Sequence, residues 1–216
     1  MSYASGTAAE RVYDEVKELI LTNALVGGEL ISEGDVAARC AVSRTPVREA
    51  FLRLETEGWM RLYPKRGALV VPIGEREARD VVGARTLLEE HAVRSIVDDP
   101  AARAVLVAQL EENLTAHRGA DWADLAEFSR LDAQFHQLIV AAGDNPLLAD
   151  FFVALGERHR RMTSASVHRD ASIPERILTD HRALLTAIEA GDADAFASSL
   201  GAHLAGVHDL RTGIRR

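Results

Sequence analysis

The chain has 216 residues, 47% apolar and 27% charged, with a formal net charge of −8; this balance excludes a disordered or fibrous protein and leaves room for one large domain or two small ones. A single cysteine, Cys40, excludes an internal disulfide framework and a cysteine-rich zinc site. Eleven aromatic residues and six prolines amid abundant Ala and Leu favour helices over a β-sandwich, because strands prefer β-branched and aromatic side chains.

The first residues, MSYASGTAAERVYDEV, lack the basic and apolar regions of a secretory leader, and no uncharged run approaches the ~20 apolar residues of a membrane span, so a cytoplasmic protein is expected. Val12, Val16, Leu19, Ile20 and Asn23 recur at helical spacing, which predicts a helix over 9–25 stopped by Gly27-Gly28. A short second helix is expected from Asp35 to Cys40. A third opens at Ser43 or Arg44, with Ser43 as its cap and Pro46 in its first turn, carries Val47, Ala50, Phe51 and Leu54 on one side and ends at Gly58. Trp59 to Tyr63 and Ala68 to Val71 then read as a two-stranded hairpin around the basic turn Pro64-Lys65-Arg66-Gly67. Three helices and a hairpin make a winged helix-turn-helix over 1–72.

Pro72-Ile73-Gly74 breaks the periodicity, and from 73 to 216 the chain reads as helices alone: 75–97, 100–118, 121–142, 146–165, 173–190 and 192–212. The expected fold is therefore mainly α, a winged helix followed by an all-α six-helix bundle. Charge divides at the same place. Residues 1–72 hold nine basic and ten acidic side chains, a net of −1, whereas 73–216 hold 16 and 23, a net of −7. Within 39–66, seven basic residues face three acidic ones, a net of +4. The total of −8 argues against nucleic acid; its distribution does not.

With Val47, Ala50 and Phe51 turned inward, Arg44 and Arg48 share the outward face at the start of the third helix. Arginine forks there suit guanine O6 and N7, Ser43 or Thr45 with the helix N-terminus can hold a phosphate, and Lys65 and Arg66 on the turn can reach the neighbouring backbone or minor groove. Gly67 lets that tip approach closely. A basic helix alone is equally compatible with simple solvation; the turn before it and the basic hairpin after it favour DNA. The run VSRTPVREAFLRLETEGWMRLYPKRGALVV, Val42 to Val71, closely resembles the GntR family of bacterial transcription regulators, and Arg44, Arg48 and Gly67 match its DNA-contacting positions. Many members carry Arg or another polar residue where Gly34 stands, so a contact made from that position is not carried over.

Asp132 and His136 lie one turn apart within the stripe Leu125, Phe128, Phe135, Leu138, Ile139 and Ala142. His181 falls in the stripe of Ile177, Leu184, Leu185 and Ile188, and His203 in that of Phe196, Leu200, Val207 and Leu210. Each histidine alone is more readily a hydrogen-bonded core residue. Together, one carboxylate and three imidazoles inside a bundle are costly unless a divalent cation satisfies them, Zn²⁺ first, with Ni²⁺, Mn²⁺ or Fe²⁺ also suited. His91, His117, His159, His168 and His208 form no comparable set and read as structural or surface residues.

From Glu75 onward the chain is similar to the FCD ligand-binding domain of the FadR-type GntR regulators, six helices favouring the shorter, VanR-like form. The resemblance implies that Asp132, His136, His181 and His203 bind metal, and that Arg85, in VVGARTLLE, anchors the carboxylate of an effector; a plain ion pair between Arg85 and Glu89 is the alternative. Asn145, in the turn Gly143-Asp144-Asn145-Pro146 that resembles the family's "GN" turn, is a second expected effector residue. The function implied is a homodimeric regulator, a repressor, of a palindromic operator in double-stranded DNA, controlled by a small organic acid. A metal-sensing regulator stays open. A metalloenzyme is disfavoured, because Glu89, Glu90 and Glu157 fit surface or helix-pairing roles and no general base stands out.

Overall fold

In the computed structural model, which describes residues 6–208, a reciprocal cap starts α1 (Ala8–Leu21): the Thr7 hydroxyl accepts from the Glu10 N–H at 3.2 Å, and the Glu10 carboxylate accepts from the Thr7 N–H at 2.6 Å. This helix stops earlier than its apolar period suggests, because the chain turns at Asn23, whose φ is +60°. Leu30–Ile31 follow as a short strand, β1, then α2 (Glu33–Arg39), α3 (Arg44–Thr56), β2 (Met60–Tyr63) and β3 (Gly67–Val70). The predicted two-stranded hairpin is thus a three-stranded antiparallel sheet of order β1-β3-β2, with Ile31 opposite Ala68 and Leu62 opposite Ala68 on the other edge. Two residues carry no readable alternation, which is why β1 is silent in the sequence.

Val12, Val16, Ile20, Val47, Phe51, Leu54, Trp59 and Val70 form the core of this part. Its polar lock is Glu57, which accepts from Tyr13 Oη at 2.6 Å, Lys17 Nζ at 3.0 Å, Trp59 Nε1 at 3.2 Å and Arg53 Nε at 3.2 Å, tying α1 to α3 and β2. Burial opposes ionisation of Glu57, but the bonds from Tyr13 and Lys17 outweigh it and hold the carboxyl below its usual range.

Between Ile73 and Gly74 the chain divides into two compact units. The second contains α4 (Glu75–Ile96), α5 (Pro100–Gly119), α6 (Leu125–Ala142), α7 (Pro146–Arg169), α8 (Ile173–Ala190) and α9 (Ala193–His208). Local chemistry sets the starts: Asp99, Asp124 and Asn145 accept from backbone N–H groups of the first turns, and Pro100 and Pro146 occupy first positions where no donor is needed. Gly191 ends α8 in the left-handed region, φ +67°, where a Cβ would be strained. Val93, Leu106, Leu110, Phe135, Ile139, Leu184, Leu185, Phe196 and Leu200 fill the bundle core. Leu210, expected on the α9 stripe, lies outside the described residues. Among the described residues no helix is long and apolar enough to cross a membrane.

Candidate functional site

Two sites emerge, one on the surface of the first unit and one buried in the second. On the surface, Ser43 stands at the N-cap of α3 in extended conformation but makes no side-chain capping bond, contrary to expectation, so its hydroxyl keeps its hydrogen-bonding capacity. Ser43, Arg44, Thr45, Arg48, Lys65 and Arg66 are all exposed. Arg44, Arg48, Lys65 and Arg66, together with Glu33 and Gly34, border a groove of about 590 Å³ between the start of α2, the outer face of α3 and the β2–β3 turn.

Three details refine the sequence reading. Arg48 Nε is held by both carboxylate oxygens of Glu33, at 2.8 and 2.9 Å. Arg44 Nη2 lies 3.6 Å from where a Cβ on Gly34 would stand, an ordinary van der Waals separation, so an alanine there would touch this arginine without displacing it. Gly67 has φ +107°, and a Cβ there would meet Ile31 O at 2.3 Å. The close approach it permits is to β1 of its own sheet, a correction to its expected role at the tip.

In the bundle, α6 brings Asp132 and His136, α8 brings His181 and α9 brings His203 to one point, with one ligand atom from each lying within 4.8 Å of the others; all four residues are buried. His181 Nε2 is 3.1 Å from His136 Nε2 and 3.3 Å from Asp132 Oδ1. Two ligands of a tetrahedral ion, each about 2.1 Å from it, stand about 3.4 Å apart, so these separations fit a divalent metal. The outer contacts fit as well. His136 Nδ1 meets Glu89 Oε2 at 2.6 Å and His203 Nδ1 meets Asp180 Oδ2 at 3.2 Å, the carboxylate–imidazole pairing that turns each Nε2 inward as a lone pair. Asp132 Oδ2 accepts from Thr163 Oγ1 at 2.7 Å and faces His159 Nε2 at 2.9 Å, while Oδ1 makes no hydrogen bond and is available to an ion.

The electrostatics keep the ligands in the form a metal needs. Burial pushes the His203 imidazole down to about 4 despite Asp180, and burial with Arg85 nearby pushes His159 to about 4 despite Asp132; His136 and His181 are lowered by burial as well. Burial opposes ionisation of Asp132, but His159 and His181 hold it well below the usual carboxylate range. Neutral imidazoles and an ionised carboxylate are the coordinating species.

Glu89, expected at the surface or in helix pairing, is fully buried; burial raises its carboxyl to about 7 against the pull of Arg85. It bonds Arg85 Nε at 3.0 Å, so the ion pair weighed against an effector role is present. That pair occupies one edge only: Arg85 Nη1 and Nη2 are buried without a hydrogen bond. Asn145, expected to hold an effector, instead spends its Oδ1 on the Leu148 N–H as the cap of α7, about 20 Å along that helix from His159, too far to share the site. His117, His159 and His208 are buried, whereas His91 and His168 are exposed. The sequence reading missed Glu89 and His159 as partners of the cluster, although Glu89 follows Arg85 by one turn on the buried face with Val81, Ala92 and Ile96.

Comparison with known proteins agrees with both halves. Residues 8–70 match the gntR family of bacterial regulatory proteins, and residues 80–206 match the FCD domain. An HTH-type transcriptional regulator from an unstable DNA locus of Streptomyces ambofaciens is 31% identical, over 97% of this chain and 87% of its own. The HTH-type transcriptional repressor RspR of Escherichia coli K12 is 30% identical, over 96% and 90%, and the gluconate operon transcriptional repressor of Bacillus subtilis 28%, over 92% and 83%. Among solved structures, E. coli McbR/YncC superposes with a TM-score of 0.66 at 23% identity, covering 95% of this chain and 97% of that one, a likeness of fold.

Proposed function

The chain belongs to the GntR family of DNA-binding transcription regulators and carries an FCD domain, and from that premise we propose that it is a cytoplasmic repressor whose bundle binds a divalent metal and a small carboxylic acid. The observation that carries this reading is the meeting of Asp132, His136, His181 and His203 beside an arginine whose two outer nitrogens are unpaired. The four residues hold the ion, Zn²⁺ first and Ni²⁺, Mn²⁺ or Fe²⁺ as alternatives, which supplies a Lewis-acidic position for a carboxylate oxygen. The Arg85 fork takes a carboxylate with its outer edge. A bare metal sensor has no use for those nitrogens, which favours an acid over the ion as the signal.

On the first unit, Arg44 and Arg48 read base edges in the major groove, Ser43 and Thr45 hold a phosphate at the start of α3, and Lys65 and Arg66 contact the backbone beside it, while Gly67 supports the wing. One winged helix offers a small interface, so a homodimer on a palindromic operator follows. Support for the second copy comes from the bundle. Leu87 on α4 and Leu147 and Phe151 on α7, helices that pack against each other, are 72%, 71% and 66% exposed, and a two-fold mate would cover them. Because the acid binds two conformational states unequally, it shifts the affinity for DNA.

The test is fluorescence anisotropy with the chain's own promoter, together with metal analysis. Wild type binds, the variant with Arg44→Ala and Arg48→Ala does not, and His136→Ala with His203→Ala abolishes bound metal. Unchanged metal content in the histidine variant, or wild-type binding by the arginine variant, overturns the assignment; DNA affinity that follows metal concentration without any acid makes it a metal sensor.

A further inference from the structure

The groove of the first unit has a basic rim, yet two carboxylates line it as well, Glu33 and Glu55. Glu55 has a task in the fold: its Oε1 accepts from the Leu62 N–H at 2.8 Å and ties α3 to β2. Glu33 has none of that kind. It opens α2 directly after the cap Ser32, where a carboxylate complements the helix dipole, and reaches across to α3. Its hydrogen bonds among the described residues all go to Arg48 Nε, at 2.8 and 2.9 Å. Arg44, one turn earlier on α3, has no acidic partner among the described residues.

Stability does not account for the pair. The Arg48 and Glu33 side chains are 66% and 29% exposed, and ion pairs in such positions contribute little. Binding strength does not account for it either. A carboxylate in a groove that receives a polyanion repels it, and an arginine bonded to that carboxylate is less available to phosphate. What the pair supplies is orientation. Nε is one of the five guanidinium donors, and fixing it stops the planar group from swinging about its stem. Bidentate pairing with guanine O6 and N7 needs a set direction, whereas a phosphate contact tolerates many.

We propose that Glu33 is a specificity-determining residue that acts through Arg48: it holds the guanidinium toward base edges and away from phosphate, lowering affinity for any duplex while raising discrimination between duplexes. This inference rests on the reading of Arg48 as a base contact. It extends that reading to a residue of the DNA's own charge, whose removal tightens non-specific binding.

The experiment takes a duplex selected from a random-sequence library by the wild-type full-length protein, and a scrambled duplex of the same length and composition. Fluorescence anisotropy gives both affinities over a range of salt concentrations. Glu33→Ala should bind the scrambled duplex more tightly, with a salt dependence steeper by about 0.9 per protomer, the mark of one added phosphate contact. Its ratio of selected to scrambled affinity should fall roughly tenfold, within the range that a bidentate arginine–guanine pair provides. Glu33→Gln keeps an acceptor for Nε and should retain part of that ratio. Added to Arg48→Ala, the Glu33→Ala change should lower the ratio no further. An unchanged ratio in Glu33→Ala, weaker binding to both duplexes alike, or a further fall in the double variant overturns the inference alone. If Arg48→Ala keeps the wild-type ratio, the base-reading role of Arg48 falls and takes this inference with it. Should Glu33→Ala not fold, Glu33→Gln decides, since its scrambled-duplex binding must still tighten and its ratio still fall.

Discussion

The winged-helix unit and the bundle handle charge in opposite ways. In the first, Arg44, Arg48, Lys65 and Arg66 stand in water on the rim of a groove, and the core beneath them is apolar with Glu57 locking one edge. In the second, two arginines, two carboxylates and six imidazoles are buried, each either paired or left with an unsatisfied atom. A surface meant for a polyanion costs little to maintain before the partner arrives, because water solvates it. A buried polar cluster is costly unless something completes it. Substitutions of the exposed arginines and lysine in the first region should therefore change binding and leave stability alone, while those in the buried cluster of the second should change both.

Asp132→Ala should break the contrast most visibly. It strips partners from His159 and Thr163 and removes an oxygen from the cluster, so unfolding followed by circular dichroism should show a loss of about 3 kcal/mol along with the loss of bound metal. Arg44→Ala with Arg48→Ala should cost about 100-fold or more in operator affinity, with metal content and unfolding midpoint as in wild type; a large drop in stability would mean that these arginines serve the fold. Glu89→Gln keeps the shape but weakens the acceptor behind His136, and competition against a chelator should show roughly tenfold weaker metal binding.

Acid should act through the bundle. Burial holds His117 and His208 below the ordinary histidine range. Below pH about 6.5 the unfolded chain takes up protons that these folded imidazoles refuse, so stability falls with pH by up to about 1.4 kcal/mol per group per unit. Denaturant titrations between pH 7 and pH 5 measure it, and a flat profile would place both rings in contact with water. The smallest effect belongs to the first unit. Ala41 sits in the turn between α2 and α3 with φ +53°, a conformation that costs an L-residue about 1 kcal/mol. Ala41→Gly should raise the unfolding free energy, read by the same denaturant titrations, by roughly 0.5 kcal/mol after glycine's own entropic cost, with no change in DNA affinity.

Much of this architecture is legible from one chain because periodicity and caps are local. The Val47, Ala50, Phe51 and Leu54 spacing locates α3 and, by exclusion, turns Arg44 and Arg48 outward. The four cluster residues are legible for a related reason: each falls within an apolar stripe, and a polar residue on a buried face demands a partner. Glu89 was read as one side of a helix pair, which it is, but its burial and its contact with His136 were missed, because an acid four residues after an arginine is equally the mark of an exposed helix pair. Asn145 was misread because a turn motif says nothing of distance, and the helix it caps carries it away from the cluster.

By itself the sequence determined the two-part division, the order of helices and the faces they bury, since hydrophobic spacing, capping residues and breakers act over a few residues. The tertiary structure decided what lies across from what: the pairing of β1 with β3 that requires Gly67, the hold of Glu33 on Arg48, and the placing of Glu89, His159 and His208 around four candidate ligands. Those relations join residues up to 100 positions apart, as Arg94 and Asp194 are, and no local pattern encodes them because they arise only when the helices pack and water leaves.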